Sequence, residues 1–278
     1  MLELFSYDFL RRAFMVGTLL AVILPCIGQT VLLKRLSMMG DTLAHSSLAG
    51  VAIGLFFGFN PLLGAIAACV VAGLSIEYIR NKLKAYQEIS TVIILAAAIG
   101  LAGLFSAFTG SSNSISSYLF GSIVTIKDSE FYLVIGVSVA VLLIYGLIYR
   151  QLYLSVFDPG GAHILGIKVK LINLIFTFLS AVTISVSAGT IGSLIVSSLL
   201  VIPVITAMQL VRTYKRTLLT AIGLSVFSVY SGLLLSYFYN LKPGAVIVLI
   251  AVAALLLVLA GKRLAGSFRQ RKGHNERI

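Results

Sequence analysis

Charge is scarce in this sequence: only 11% of its 278 residues are Asp, Glu, Lys or Arg, and nine residues are acidic. An average soluble domain carries about 25% charged residues. With 59% hydrophobic residues and a mean hydropathy of +1.06, too few polar side chains remain to cover a water-soluble globule. The chain reads as a polytopic membrane protein. Cysteine is nearly absent. Cys26 and Cys69 both fall inside apolar runs, which excludes a disulfide framework or a zinc motif and leaves them as small packing residues. A nucleotide-binding loop is missing too. The only Gly-Lys pair, Gly261-Lys262, is followed by Arg263 and lacks the first glycine of G-x-x-x-x-G-K-[ST], so any ATP used must be held by another chain. No internal repeat is evident, which weighs against a secondary transporter built from inverted halves. No basic segment precedes an apolar run with a small-residue cleavage site, so a cleaved leader is not expected.

What is present is apolar sequence in lengths that suit a bilayer. About 20 apolar residues cross the roughly 30 Å of hydrocarbon, and cutting the chain at its charges and turn residues predicts an all-α, polytopic transmembrane helical bundle of about nine spans. They fall near 13–33, 43–59, 61–79, 91–108, 131–149, 171–188, 190–209, 217–239 and 244–261. Eight or ten stay open, because the third span ends early in Glu77, Tyr78 and Arg80 and the sixth and seventh are joined only through Ala188-Gly189-Thr190. Residues 1–265 make a single membrane domain and 266–278 a basic tail. Small residues such as Gly189, Gly192, Ser193, Ser197 and Ser198 let helices approach closely, and Pro203 leaves an unpaired carbonyl one turn earlier.

The net charge of +12 raises the question of a polyanionic partner, and its distribution answers it. With nine spans, one side receives Lys34 and Arg35, then Arg80, Lys82 and Lys84, then Arg150, Lys168 and Lys170, then Arg212, Lys215 and Arg216, and finally the tail from Lys262 to Arg277. The other side receives Arg11, Arg12, Lys127 and Lys242. The positive-inside rule therefore puts the N-terminus outside and the C-terminus in the cytoplasm. The basic loops report topology, and no nucleic acid partner is implied. Arg11 and Arg12 are the exceptions, eased if LELFSYDFL lies in the membrane interface.

Within this apolar chain, the stretch LSMMGDTLAHSSLAGVAIG (36–54) carries Asp41 and His45. An aspartate at the centre of a membrane helix costs about 2.5 to 3.5 kcal/mol on insertion scales and normally faces a cavity or a partner. At i and i+4 the two side chains share one helix face and can share one ligand. A carboxylate oxygen with an imidazole nitrogen suits a divalent first-row metal such as zinc or manganese. Two ligands are fewer than the four of a structural zinc site, as befits an ion that must leave again. A symmetric dimer with these helices near its axis would supply two carboxylates and two imidazoles. Other readings stay open on spacing alone: Asp41 could pair with Arg35 or cap the helix, with His45 a packing histidine, placed just inside the cytoplasmic end of the second span. A metal-dependent intramembrane hydrolase would need a further ligand or base, and Glu77 lies too near the cytoplasmic end. An ATP-independent channel or transporter is the remaining rival.

The inner loop YRQLYLSVFDPGGAHILGIKVK (149–170) holds a second feature. Asp158 before Pro159 reads as an N-cap followed by a residue preset for the first turn, so a short cytoplasmic helix through AHILGI is expected. Such a helix could dock into a cleft on an ATPase, or the segment could be an ordinary solvated turn. His163 is expected to be exposed. The outer segment 109–130 offers Tyr118 and Phe120 as packing or gate residues.

MGDTLAHSSLAGVAIG resembles the G-D-[AT]-[LI]-[SA]-H-x-x-L-[PA]-G-V-A-x-G signature of the metal-uptake ABC permeases, which import zinc, manganese or iron. QEISTVIIL (87–95), YLFGSIVTI (118–126), FDPGGAHILGI (157–167) and GTIGSLIVSSLLVIPVITA (189–207) agree in order and spacing. The chain departs at Ala44, where serine is common, and at Ala49, where proline is common; neither is a ligand. The resemblance implies that Asp41 and His45 handle metal and that Phe157, Asp158, Ala162 and Gly166 couple the permease to its ATPase. It implies a homodimeric permease in the bacterial plasma membrane, served by a cytoplasmic ABC ATPase dimer and an extracytoplasmic metal-binding protein. The chain itself would not be an enzyme and would hold no permanent cofactor, the transported Zn2+ or Mn2+ being its cargo. LELFSYDFLRRAF, QEISTVIIL and YLFGSIVTI look more like the zinc importers of Gram-positive bacteria, which makes zinc the expected metal and manganese the alternative.

Overall fold

In hydrocarbon every backbone N–H and C=O must be satisfied within the protein, and a single chain meets that demand with helices. The computed structural model describes residues 8–82, 88–109, 128–239 and 241–275, and within them the fold is entirely helical. The order is α1 (Asp8–Leu33), α2 (Met39–Phe57), α3 (Pro61–Lys82), α4 (Ile89–Thr109), α5 (Asp128–Phe157), α6 (Pro159–Ile164), α7 (Val169–Ile191), α8 (Ser193–Leu210), α9 (Tyr214–Tyr239) and α10 (Pro243–Asn275). Among the described residues, eight helices are long and apolar enough to cross a membrane. The other long helix, α2, falls short because Asp41, His45, Ser46 and Ser47 dilute its first half. Together these nine correspond to the nine expected spans. The motif YLFGSIVTI, with Tyr118 and Phe120, lies outside the described residues.

Contacts sort the helix ends into two faces. On one face Lys34 Nζ donates to Asn173 Oδ1 at 2.5 Å, Gln29 Nε2 donates to the Tyr214 carbonyl at 2.8 Å, and Lys262 Nζ donates to Gln209 Oε1 at 3.2 Å. These bonds collect the end of α1, the starts of α7 and α9, the end of α8 and the Lys262 turn of α10. On the other face Arg12 pairs with Asp128, Arg11 pairs with Asp8 at 3.2 Å, and Leu62 lies beside Glu130 and Thr190. The basic face is the one the positive-inside rule assigns to the cytoplasm. On the opposite face Arg11 and Arg12 are neutralised by Asp8 and Asp128, which explains how they tolerate that side.

α1 and α7 are buried along most of their length, whereas α4 and α10 expose most of theirs. The core joins α1, α5, α7, α8 and α9 through residues such as Leu20, Leu24, Ile27, Leu152, Phe176, Ile184 and Leu200. Cys26 and Cys69 are both buried and unpaired with one another, consistent with small packing residues. Glycines set the closest crossings, as small residues do between helices in lipid. A Cβ on Gly28 would run into the Leu200 carbonyl, and one on Gly50 into the Gly64 carbonyl.

The α7–α8 junction is later than the expected Ala188-Gly189-Thr190. Those residues stay helical, and the chain breaks at Gly192, whose φ of 94° and ψ of 145° suit glycine alone. Small residues in a bundle interior extend a helix as readily as they end it, so the break follows the one position that requires a missing Cβ.

Candidate functional site

Asp41 and His45 belong to the first two turns of α2, and their position depends on how the chain enters that helix. After α1 the link 34–38 folds back into the bundle. Leu36 N–H donates to the Val31 carbonyl, Met39 N–H donates to the Leu36 carbonyl, and Arg35 takes a left-handed φ of 56°. Leu36 and Met39 are buried. α2 therefore starts recessed from the cytoplasmic face.

The depth follows from its neighbours. The Leu43 carbonyl accepts from Cys69 Sγ at 3.0 Å, and Cys69 stands about 12 Å along α3 from its outer end at 1.5 Å per residue. Gly40 packs on Leu200 and Ser197, which lie about 6 to 11 Å from the outer end of α8. The Asp41–His45 turn is thus level with the middle of the bundle. The sequence placed the segment near the cytoplasmic end of the second span and left the depth of the pair open between mid-span and the inner exit. Hydropathy measures the length of a span and carries no record of a link that folds inward.

His45 Nε2 stands 3.9 Å from Asp41 Oδ1, and the two side chains remain 25% and 39% exposed. Arg35 does not pair with Asp41, and the N-cap of α2 is Met38, which forms no side-chain cap bond. The carboxylate still benefits from the positive end of the helix dipole. Around the pair, neighbouring polar groups are spent on backbone. Thr42 Oγ1 donates to the Met38 and Thr91 carbonyls, at 2.9 and 3.2 Å, and Ser46 Oγ donates to the Thr42 carbonyl at 2.8 Å. Among the described residues no group of three His, Cys, Asp or Glu gathers here or elsewhere. Glu77, the acid weighed as a hydrolytic base, is held by Arg80 at 2.7 Å near the cytoplasmic face.

The motif glycines act on α3. Gly50 crosses Gly64, and a Cβ on Gly54 would meet the Pro61 backbone at 2.9 Å. They lock α2 to α3 on the face away from the Asp–His pair.

The cytoplasmic loop forms a helix that starts earlier than AHILGI. Asp158 Oδ1 accepts from Gly161 N–H at 2.8 Å as the N-cap, Pro159 opens α6, and the helix ends at Ile164. Ala162 is fully buried and anchors α6 to the bundle. Gly166, at φ 76°, turns the chain toward α7. Phe157 closes α5 and packs on Tyr153 and Tyr214, with centroids 4.8 and 5.9 Å apart. The residues that protrude were missed by sequence reasoning. Ile164 is 89% and Leu165 68% exposed, and His163 is exposed beside them. Two bare aliphatic side chains next to a polar rim of His163, Lys168 and Lys170 were legible only as a hydrophobic pair in a polar loop.

The sequence pattern of the ABC 3 transport family matches residues 6–262. The chain belongs to that family. Relatives agree with the placement of this ABC 3 family protein. A "Probable metal transport system membrane protein" of Treponema pallidum is 34% identical over 92% of this chain and 96% of its own length. The manganese transport system membrane protein MntC of Halalkalibacterium halodurans is 32% identical over 90% of this chain and 86% of its own. Among solved structures, PsaBC from Streptococcus pneumoniae in complex with Fab superposes with a TM-score of 0.81 at 24% identity, covering 92% of each chain, and this likeness establishes a shared fold. The ABC 3 family protein described here is accordingly a multi-pass transport protein of the bacterial plasma membrane.

Proposed function

We propose that this chain is the membrane-spanning permease subunit of an ATP-driven importer for a divalent first-row metal, and that Asp41 and His45 handle the ion in passage. One observation carries the reading. The pair sits at mid-bundle depth with both side chains partly exposed, and a carboxylate turned toward lipid at that depth would cost about 2.5 to 3.5 kcal/mol on insertion scales. A second copy of the chain facing this side would remove the cost, by placing two carboxylates and two imidazoles around a shared axis.

A desolvating ion would exchange water oxygens for a carboxylate oxygen and an imidazole nitrogen. An incomplete set from each protomer lets the ion leave as readily as it enters. Partner ATPase subunits, seated against Ile164 and Leu165 below α6, would bias the dimer between outward- and inward-open states by binding one state better. An extracytoplasmic binding protein would deliver the metal. The permease would carry no catalysis of its own.

Zinc was expected from motif resemblance, and manganese gains support from the names of several relatives, including permeases called MntC and ScaB. Carboxylate plus imidazole serves both ions. Reconstitution of the permease with its ATPase and binding protein in liposomes tests the whole proposal. Uptake of labelled zinc or manganese is expected only with ATP and an active ATPase, and competition between the two identifies the cargo. Equal metal flux through the permease alone would instead support the channel reading.

A further inference from the structure

The structure assigns Tyr214 a positioning role. We infer that it is the pivot through which movement of α6 reaches the helices around Asp41, an inference that rests on the importer reading above.

The sequence of α5 supplies the first part. Tyr145, Tyr149, Tyr153 and Phe157 recur at every fourth residue, so they form one stripe down a single helix face. α5 is 30 residues long without a break, about 45 Å at 1.5 Å per residue, and only Asp158 separates it from α6. α6 is thus tethered to the end of α5 through a single non-helical residue, and α5, which contains no hinge of its own, carries any motion passed to its end along the stripe.

Tyr214 receives that stripe. Its ring meets Tyr149, Tyr153 and Phe157, with centroids 5.4, 5.1 and 5.9 Å away. It is the first residue of α9, and its carbonyl accepts the Gln29 amide of α1 at 2.8 Å. Gln29 adjoins Gly28, which lies against the Leu200 backbone of α8. The side chain of Leu200 in turn covers Gly40, the residue before Asp41. A contiguous set of packed groups thus runs from α6 to the Asp41 turn, and Tyr214 is where α5, α9 and α1 meet. Such continuity gives a physical route between the two sites.

The measurement uses the full complex of permease, ATPase and binding protein in liposomes, with ATP turnover and metal uptake followed together. Uptake by the wild-type complex reports on the importer reading, and the variant-to-wild-type ratio of metal moved per ATP reports on Tyr214. For Tyr214→Ala that ratio is expected to fall about tenfold, within the span of ordinary coupling free energies, while ATP turnover and ATPase co-purification stay near wild type. Tyr214→Phe, which keeps the ring, is expected to restore the ratio. A wild-type ratio in Tyr214→Ala, or turnover and uptake lost in equal proportion, overturns the assignment. If Tyr214→Ala fails to assemble, Tyr149→Leu combined with Tyr153→Leu reads the same contact from the other helix: a similar fall supports the pivot, and an unchanged ratio overturns it.

Discussion

Lys34 shows how one residue at the cytoplasmic face responds to its surroundings. It lies in the link between α1 and α2, bonded to Asn173 and set over the Phe176 ring at 5.2 Å. Burial first, and then the Arg80 guanidinium, push its pKa down to about 8, with Glu77 acting in the opposite sense. Because the folded-state value is depressed below the ordinary 10.5, the unfolded chain holds more protons between these values. Stability should rise with pH across about 8 to 10.5 and be insensitive to Lys34 below that window. Thermal midpoints of the purified permease check this, and Lys34→Met should flatten the rise. Asp41 and His45 obey a different constraint. Their spacing was legible in the sequence, but their depth was not, because depth is set by Leu36 and Met39 turning the link inward. Nor could spacing reject the N-cap reading, which fails only because Met38 occupies that position.

At the scale of elements, the crossing of α2 and α3 depends on glycine. Gly50→Ala places a methyl group against the Gly64 carbonyl and should cost about 1 to 3 kcal/mol, as overpacking does, seen as a lower melting midpoint in detergent. Gly100→Ala on the exposed face of α4, where a Cβ meets nothing within 4 Å, should not lower the midpoint and should raise it slightly, because alanine favours a helix interior over glycine. The helix α6 makes the second case. Its cap was readable from Asp158-Pro159, and Asp158→Ala should weaken it by about 1 kcal/mol. Its protruding residues were not readable, since sequence alone cannot say that Ala162 turns inward and Ile164 outward. Ile164→Asp with Leu165→Asp should reduce co-purification of the ATPase at least about tenfold, because two carboxylates replace apolar surface in a desolvated contact. An unchanged yield of complex would remove α6 as the docking element.

For the whole molecule, hydropathy recovered the nine long helices of the described residues, because membrane spans are written in long apolar runs with charge at their ends. The helices least well marked were α2, diluted by Asp41 and His45, and the α7–α8 pair, joined at Gly192 where no polar loop announces the turn. The bundle holds a partly exposed Asp–His pair on one side and an anchored short helix on another, and the function proposed for it needs both to act across one membrane. Uptake of zinc and manganese by cells carrying Asp41→Ala or His45→Ala at wild-type expression tests that account most directly. Loss of one charged or imidazole ligand, worth about 1.5 to 3 kcal/mol, should lower uptake of the cargo metal roughly 10- to 100-fold. Wild-type accumulation of both metals in both variants would contradict it.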